Sequence, residues 1–154
     1  MKTRILMVCL GNICRSPLAE GILRSITDPG RVEVDSAGTA GYHVGSKPDK
    51  RSIAVAGKYG IDISGQRCRK FNADDFERFD LIYAMDRENL AHIHSCSRSE
   101  EERNKARLLL GELDLENDEV PDPYYGGQGG FDEVFSLIYR ACEAISNNLG
   151  AKTE

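Results

Sequence analysis

The chain has 154 residues, of which 40% are hydrophobic and 29% charged, and this composition predicts a single soluble domain over residues 1–154. Its net charge of −5 argues against nucleic acid as the main partner, because proteins that grip a phosphate backbone are basic. The apolar run near the amino terminus is too short for a signal peptide or a membrane span. Five cysteines without regular spacing favour reduced thiols, so we expect a cytoplasmic protein that does not insert into membranes.

Apolar runs alternate with helical patterns along the chain. Residues 5–8 and 81–85 are continuous apolar runs, and residues 108–110 form a shorter one, as in parallel strands buried on both faces. Alternating valines and acidic residues at 32–35 predict a half-exposed edge strand that ends at residues 36–38. This alternation of strands and helices indicates a sheet between two helix layers, with ligands bound at the carboxyl ends of the strands.

The helical segments have recognisable starts and ends. Ser16 and Pro17 suit the N-cap and first-turn positions of the first helix. The last helix has the clearest apolar periodicity and is expected to stop before Gly150. The other helices are predicted over residues 49–59, from residue 87 to about residue 94, and after Ser99, where an acidic run indicates a solvated start.

The segment VCLGNICRSP follows the first strand and has the features of an anion site. Cys9 ends the strand, Arg15 follows with five residues between them, and a helix begins directly afterwards. A turn of that size aims backbone amides inward against a helix N-terminus, which suits a phosphate group. We expect Gly11 and Asn12 to supply the left-handed backbone conformations that such a tight cradle requires.

The two side chains at the ends of this loop suggest chemistry as well as binding. Amide dipoles and a neighbouring guanidinium stabilise the thiolate form of Cys9, and the planar fork of Arg15 can hold two phosphoryl oxygens. The simpler alternative is that Cys9 only ends a buried strand and Arg15 only caps a helix. The glycine spacings of nucleotide-binding loops are not present in the sequence, so nucleotide binding is not expected.

Attack on phosphorus also requires an acid that protonates the leaving group. Asp122 is the best candidate, because it lies between two prolines in PDPYY, within the longest irregular stretch, residues 112–130. The alternative is that Asp122 only stiffens a turn.

Four motifs together resemble those of the low-molecular-weight protein tyrosine phosphatases: VCLGNICRSP, DSAGT at 35–39, AMD at 84–86 and DPYYGG at 122–127. The resemblance covers essentially the whole chain. It implies an α/β, flavodoxin-like three-layer fold with a four-stranded parallel sheet and the phosphate loop after the first strand. It makes Cys9 the nucleophile, Arg15 the phosphate clamp and Asp122 the acid and then the base. The implied reaction runs through a phosphocysteine without metal or other cofactor, and releases inorganic phosphate from a phosphotyrosine protein.

The same resemblance assigns further residues to the site. Ser16 steadies the thiolate, while Asn12 and Ser36 support the loop. Aromatic side chains form a rim that packs on the entering phenyl ring, and the depth of such a pocket disfavours the shorter phosphoserine. The implied substrate-binding residues are Leu10, Gly11, Asn12, Ile13, Cys14, Ser16, Tyr42, Tyr124 and Tyr125.

Two positions near the loop allow more than one interpretation. Many family members carry a histidine where this chain has Gln66, so Gln66 is expected to replace its hydrogen bonds to Asn12 and Ser36. Cys14 is either a small buried residue or a resolving thiol that traps oxidised Cys9 as a disulfide, as the resemblance favours.

The remaining cysteines and histidines are not predicted to form sites. His92, His94 and Cys96 lack the spacing of a metal site, and Cys142 belongs to the apolar face of the last helix. Cys68 lies between two arginines, which could activate its thiol, but an isolated surface thiol is the commoner case and is expected here.

Two other functions stay open. One is a thiol-dependent arsenate reductase of the same fold, which would need a further pair of thiols. The other is a phosphotyrosine-binding module without turnover.

Overall fold

The computed structural model describes residues 2–124 and 128–152, which form a four-stranded parallel sheet with helices on both faces. The spatial order of the strands is β2-β1-β3-β4, so β1 and β3 are central. This architecture confirms the predicted three-layer α/β fold. The strands are β1 (Thr3–Cys9), β2 (Val32–Gly38), β3 (Leu81–Ala84) and β4 (Ala106–Leu108).

The two faces of β1 explain its continuous apolar sequence. Ile5 and Met7 pack into one apolar cluster, while Leu6 and Val8 pack into another on the opposite face. Helices α1, α2 and α6 contribute to the first cluster, and α3 and α4 to the second. The helices are α1 (Arg15–Ile26), α2 (Lys50–Lys58), α3 (Asp75–Arg78), α4 (Arg87–Cys96), α5 (Glu100–Lys105) and α6 (Gln128–Lys152).

Several predicted elements are confirmed by the structure. Strand β2 lies at an edge of the sheet, as its alternating pattern indicated. Helix α2 is capped by Asp49, whose carboxylate accepts a hydrogen bond from the Arg51 amide, and α5 is capped by Ser99 through the Glu102 amide. Within the described residues, no helix is long and apolar enough to cross a membrane.

Other predicted boundaries are wrong. The strand predicted over residues 108–110 lies earlier, as β4, and Leu109–Glu112 form a 3₁₀ helix. Helix α6 begins three residues before Phe131 and continues past Gly150, because one glycine costs a helix only about 1 kcal/mol. Helix α3 was not predicted, since four residues are too few to show a period.

The start of α1 also differs from the prediction. The N-cap residue is Cys14, without a side-chain cap, and Ser16 lies inside the helix. The Ser16 hydroxyl instead faces Cys9 and Asn12, as described below.

The topology brings three chain segments together at one edge of the sheet. Strands β1 and β3 are parallel neighbours, so the residues that follow Cys9 and Ala84 emerge side by side. The Val120 amide donates to the Met85 carbonyl at 2.8 Å, which places the segment before Asp122 at the same edge.

Candidate active site

A cavity of about 270 Å³ opens at this edge of the sheet. Its walls contain all three predicted catalytic residues together with most of the predicted rim. Tyr125 falls outside the described residues. The cavity is lined by Cys9, Leu10, Gly11, Ile13, Cys14, Arg15, Tyr42, His43, Asp122 and Tyr124.

Cys9 lies at the base of this cavity and is almost fully buried. Its Sγ atom is 3.0 Å from the Ser16 Oγ and accepts a hydrogen bond from the Asn12 amide at 3.3 Å. Ser16 is therefore placed to contact the sulfur, which explains why its hydroxyl does not cap α1.

Asn12 holds the phosphate loop in shape from beneath. Its φ of 58° is left-handed, as predicted, whereas Gly11 is not among the described residues with positive φ, so that part of the expectation is wrong. The Asn12 Nδ2 donates to Ser16 Oγ at 2.9 Å and to Ser36 Oγ at 3.0 Å. Its Oδ1 accepts from the Arg69 amide at 2.9 Å. These bonds stabilise a backbone conformation that costs a residue other than glycine free energy.

The support behind Ser36 differs from the prediction. The Gln66 Nε2 donates to the Pro17 carbonyl at 3.0 Å, and Gln66 makes no hydrogen bond to Asn12 or Ser36 among the described residues. Glu20 accepts the Ser36 hydroxyl at 2.7 Å instead. Glu20 projects from α1 towards β2 and is itself buried, and that burial raises the pKa of its carboxyl group.

Cys68 is buried, so the expectation of a surface thiol is wrong. Its Sγ donates to the Asn12 carbonyl at 2.9 Å, on the outer side of the phosphate loop. The backbone of Cys68 pairs with Gly45 and Ser46. Burial raises the pKa of the Cys68 thiol, so it acts as a neutral donor.

The Arg15 guanidinium is buried and held in a fixed orientation. Its Nη1 donates to Asp86 Oδ2 at 2.8 Å and to the Val120 carbonyl at 3.0 Å, while Nη2 lies 3.6 Å from Asp122 Oδ2. Burial alone would lower the pKa of Arg15, but Cys9, Asp86 and Asp122 raise it above its usual value. The cation is therefore retained at the cavity wall.

Asp86 was not assigned a role from sequence, although AMD was one of the recognised motifs. It follows the central strand β3, and neighbouring parallel strands deliver such residues to one edge of a sheet, so its position was a usable signal. Asp86 also caps α4 by accepting a hydrogen bond from the Asn89 amide.

The outer part of the cavity combines an acid with aromatic side chains. Asp122 is partly exposed, and its Oδ1 accepts a hydrogen bond from the Tyr124 amide at 3.0 Å. Tyr42 is 77% exposed and Tyr124 39%, as befits side chains at the mouth. His43 joins them and was not predicted.

The other thiols differ in environment from Cys9. Cys14 is buried, and this burial, followed by the charges of Asp49, Cys9 and Asp122, raises its pKa to about 12. Cys142 lies in the core, as predicted. In the part of the chain that the structure describes, no group of three or more histidine, cysteine or acidic residues could hold a metal ion.

Comparison with known proteins agrees with this geometry. Residues 4–154 match the model of the family described as low molecular weight phosphotyrosine protein phosphatase. The chain belongs to this family. As a phosphatase of this family it is a hydrolase, and its recognition from four motifs is confirmed.

Named relatives of this phosphatase come from distant organisms. The low molecular weight phosphotyrosine protein phosphatase of Homo sapiens is 40% identical over 147 residues, and the match covers 92% of each chain. The low molecular weight protein-tyrosine-phosphatase YfkJ of Bacillus subtilis is 39% identical over 145 residues, again covering 92% of each chain. The crystal structure of a protein tyrosine phosphatase from Entamoeba histolytica superposes with a TM-score of 0.92 at 34% identity, covering 99% of this chain and 100% of that one.

Proposed function

We propose that this phosphatase hydrolyses phosphotyrosine in proteins through a phosphocysteine intermediate on Cys9. The observation that carries the proposal is the meeting of Cys9, Arg15 and Asp122 in one cavity. A nucleophile, a cation that binds the phosphoryl oxygens and an acid are the three groups that transfer of a phosphoryl group to sulfur requires.

In the first step the Cys9 thiolate attacks phosphorus. The S–P bond forms while the P–O bond to the tyrosyl group breaks, and the phenolic oxygen takes its proton from Asp122. Asp86 and the Val120 carbonyl hold one edge of the Arg15 guanidinium, so its Nη2 remains directed to the side of the cavity where Asp122 lies. Arg15 binds the phosphoryl oxygens as charge moves onto them.

In the second step water attacks the phosphocysteine. Asp122, now a carboxylate, accepts a proton from the water as the S–P bond breaks. Inorganic phosphate leaves, and the electron pair returns to the Cys9 sulfur. Ser16 stabilises the departing thiolate from 3.0 Å.

The rim of the cavity supports an aromatic substrate. Tyr42 and Tyr124 provide walls for a phenyl ring, and ring packing contributes roughly 0.5–1.5 kcal/mol beyond the burial of area. A phosphoserine side chain is shorter, so it would not place its phosphorus against Cys9 while its ester oxygen stays near Asp122.

The remaining expectations belong to the same proposal. We infer a single domain, a site of action in the cytoplasm and no role for nucleic acid. All five cysteines are free thiols, as suits a reducing compartment, and the net charge is −5. For Cys14 we retain the role of a resolving thiol, which is supported by its place in the loop that carries Cys9.

The test compares Cys9→Ser with the parent enzyme. Cys9→Ser should lose turnover of an aryl phosphate while still binding inorganic phosphate, and retained turnover would reject the proposal. Acid quenching of the parent during turnover should trap one phosphate per chain on Cys9. Binding of a phosphotyrosine peptide without turnover or trapping would favour a binding module.

No described contact favours an arsenate reductase. Cys68 lies against the phosphate loop, Cys142 lies on α6 with its Sγ facing the Ala19 carbonyl, and Cys96 ends α4 on the opposite face of the sheet. An assay of thiol-dependent arsenate reduction should therefore give no activity.

A further inference from the structure

Arg51, in the first turn of α2, connects two of the segments that line the cavity, the phosphate loop and the segment that carries Asp122, here called the Asp122 loop. Its guanidinium lies near two aromatic rings, 4.6 Å from the ring centre of Phe131 and 5.5 Å from that of Tyr124. Arg51 itself does not line the cavity. We propose that Arg51 is a positioning residue that holds the Asp122 loop in register with the phosphate loop.

Arg51 contacts the Asp122 loop directly. The Arg51 Nη2 donates to the Tyr124 carbonyl at 2.9 Å. The amide of the same residue, Tyr124, donates to Asp122 Oδ1 at 3.0 Å. The guanidinium thus binds the carbonyl of Tyr124, and the Asp122 carboxylate binds its amide. A shift of Tyr124 would therefore move the hydrogen bond that orients the acid.

The contact with the phosphate loop passes through Asp49. The Arg51 Nε and Nη2 donate to the two carboxylate oxygens of Asp49 at 3.1 and 3.0 Å. The Asp49 amide in turn donates to the Ile13 carbonyl, inside the phosphate loop, at 2.7 Å. A paired, planar contact of this type fixes orientation as well as distance, which a lysine cannot do.

These contacts form one continuous path from Ile13 through Asp49, Arg51 and Tyr124 to Asp122. Asp122 is partly exposed and lies in an irregular segment, so its position relative to Cys9 depends on such external contacts. The Asp122 carboxyl has a competing partner in Arg15, 3.6 Å away. The path therefore keeps the acid near the leaving group, and this inference rests on the proposed role of Asp122 as the acid.

The test exploits the different need of two substrates for an acid. Phenyl phosphate releases a phenol with a pKa of about 10 and needs protonation, whereas 4-nitrophenyl phosphate releases a stable nitrophenolate. For Arg51→Met we expect kcat/KM on phenyl phosphate to fall about 10- to 100-fold, with a loss below about 3-fold on 4-nitrophenyl phosphate. Combined with Asp122→Ala, Arg51→Met should cause no further loss on phenyl phosphate.

Lys58→Met is the matched control. Lys58 also projects from α2, but its ammonium group pairs with Asp132 on α6 and not with either loop. It should leave both substrates unaffected. Arg51→Lys, which can keep one bond but not the paired contact, should fall between the parent and Arg51→Met. If Arg51→Met does not fold, Asp49→Asn, which weakens the same path, should show the same substrate-dependent loss.

The outcomes separate the inference from the proposed function. Equal losses on both substrates for Arg51→Met, or a further loss in the Asp122→Ala background, would overturn the positioning role. A substrate-dependent loss for Asp122→Ala but none for Arg51→Met would overturn the inference alone. Equal effects of Asp122→Ala on the two substrates would overturn the role of the acid and with it this inference.

Discussion

The close approach of Gly38 to the phosphate loop makes Gly38→Ala a sensitive test of the cradle. Gly38 ends β2 directly opposite Cys9. A methyl group added there would lie 2.8 Å from the Leu10 carbonyl oxygen and 3.1 Å from the Asn12 amide nitrogen. Both neighbours are backbone atoms, so neither can turn away as a side chain would.

The size of the effect follows from these distances. An ordinary contact of about 3.4 Å would require the loop to move by about 0.6 Å. Overpacking of this kind costs about 1–3 kcal/mol of stability. Because an error of about 1 Å in the position of reacting groups can cost about 100-fold in rate, we expect Gly38→Ala to lower kcat/KM at least about 10-fold.

Gly57→Ala provides the matched control, since a methyl group at Gly57, within α2, meets nothing within 4 Å. It should stabilise the protein by roughly 0.5–1 kcal/mol and leave activity unchanged. The measurements are thermal unfolding, kcat/KM on 4-nitrophenyl phosphate and the inhibition constant of inorganic phosphate. If Gly38→Ala matched Gly57→Ala in activity and in phosphate inhibition, the steric reasoning would be refuted.

Three further predictions concern groups that line or support the cavity. Burial raises the pKa of Glu20, so the folded state holds a proton that the unfolded chain releases, and the free energy of unfolding should fall as the pH rises above about 4.5. Glu20→Gln should flatten this decline when the free energy is measured by urea unfolding at a series of pH values. An unchanged dependence on pH would contradict the prediction. The Cys14 thiol, with its pKa raised to about 12, should stay unlabelled by iodoacetamide at a pH of about 8 while Cys9 reacts, and mass spectrometry of the folded protein would reveal any Cys14 adduct. Asn12→Ala should lose more thermal stability than Asn12→Gly, because both must adopt a φ of 58° and only for alanine is that conformation strained. The reverse order would show that backbone strain is not the main cost.

Much of the site was visible in one short window of sequence. A buried strand, a turn with Asn12 and a helix start place Cys9 and Arg15 in one cavity, and the geometry of a seven-residue loop leaves few alternatives. The prolines and irregular surroundings of Asp122 also predict its role, and it lies in the same cavity. The phosphate loop rests on local backbone preferences, which a window of sequence contains.

The supporting contacts could not be assigned in the same way. The assignment of Gln66 as the partner of Ser36 was wrong, because the partner is Glu20 on α1. Cys68 was expected at the surface, yet it is buried against the Asn12 carbonyl. Both contacts form between segments that become neighbours only through the order of the strands in the sheet.

The sequence by itself therefore determined the fold class, the phosphate loop and the three residues to which we assign the chemistry. Only the tertiary structure decided what holds them in place: Asp86 on Arg15, Glu20 on Ser36 and Arg51 on the Asp122 loop. The physical reason is one of range. Dihedral preferences and loop lengths act over a few residues, whereas these hydrogen bonds join residues that are distant along the chain and meet only after the sheet has assembled.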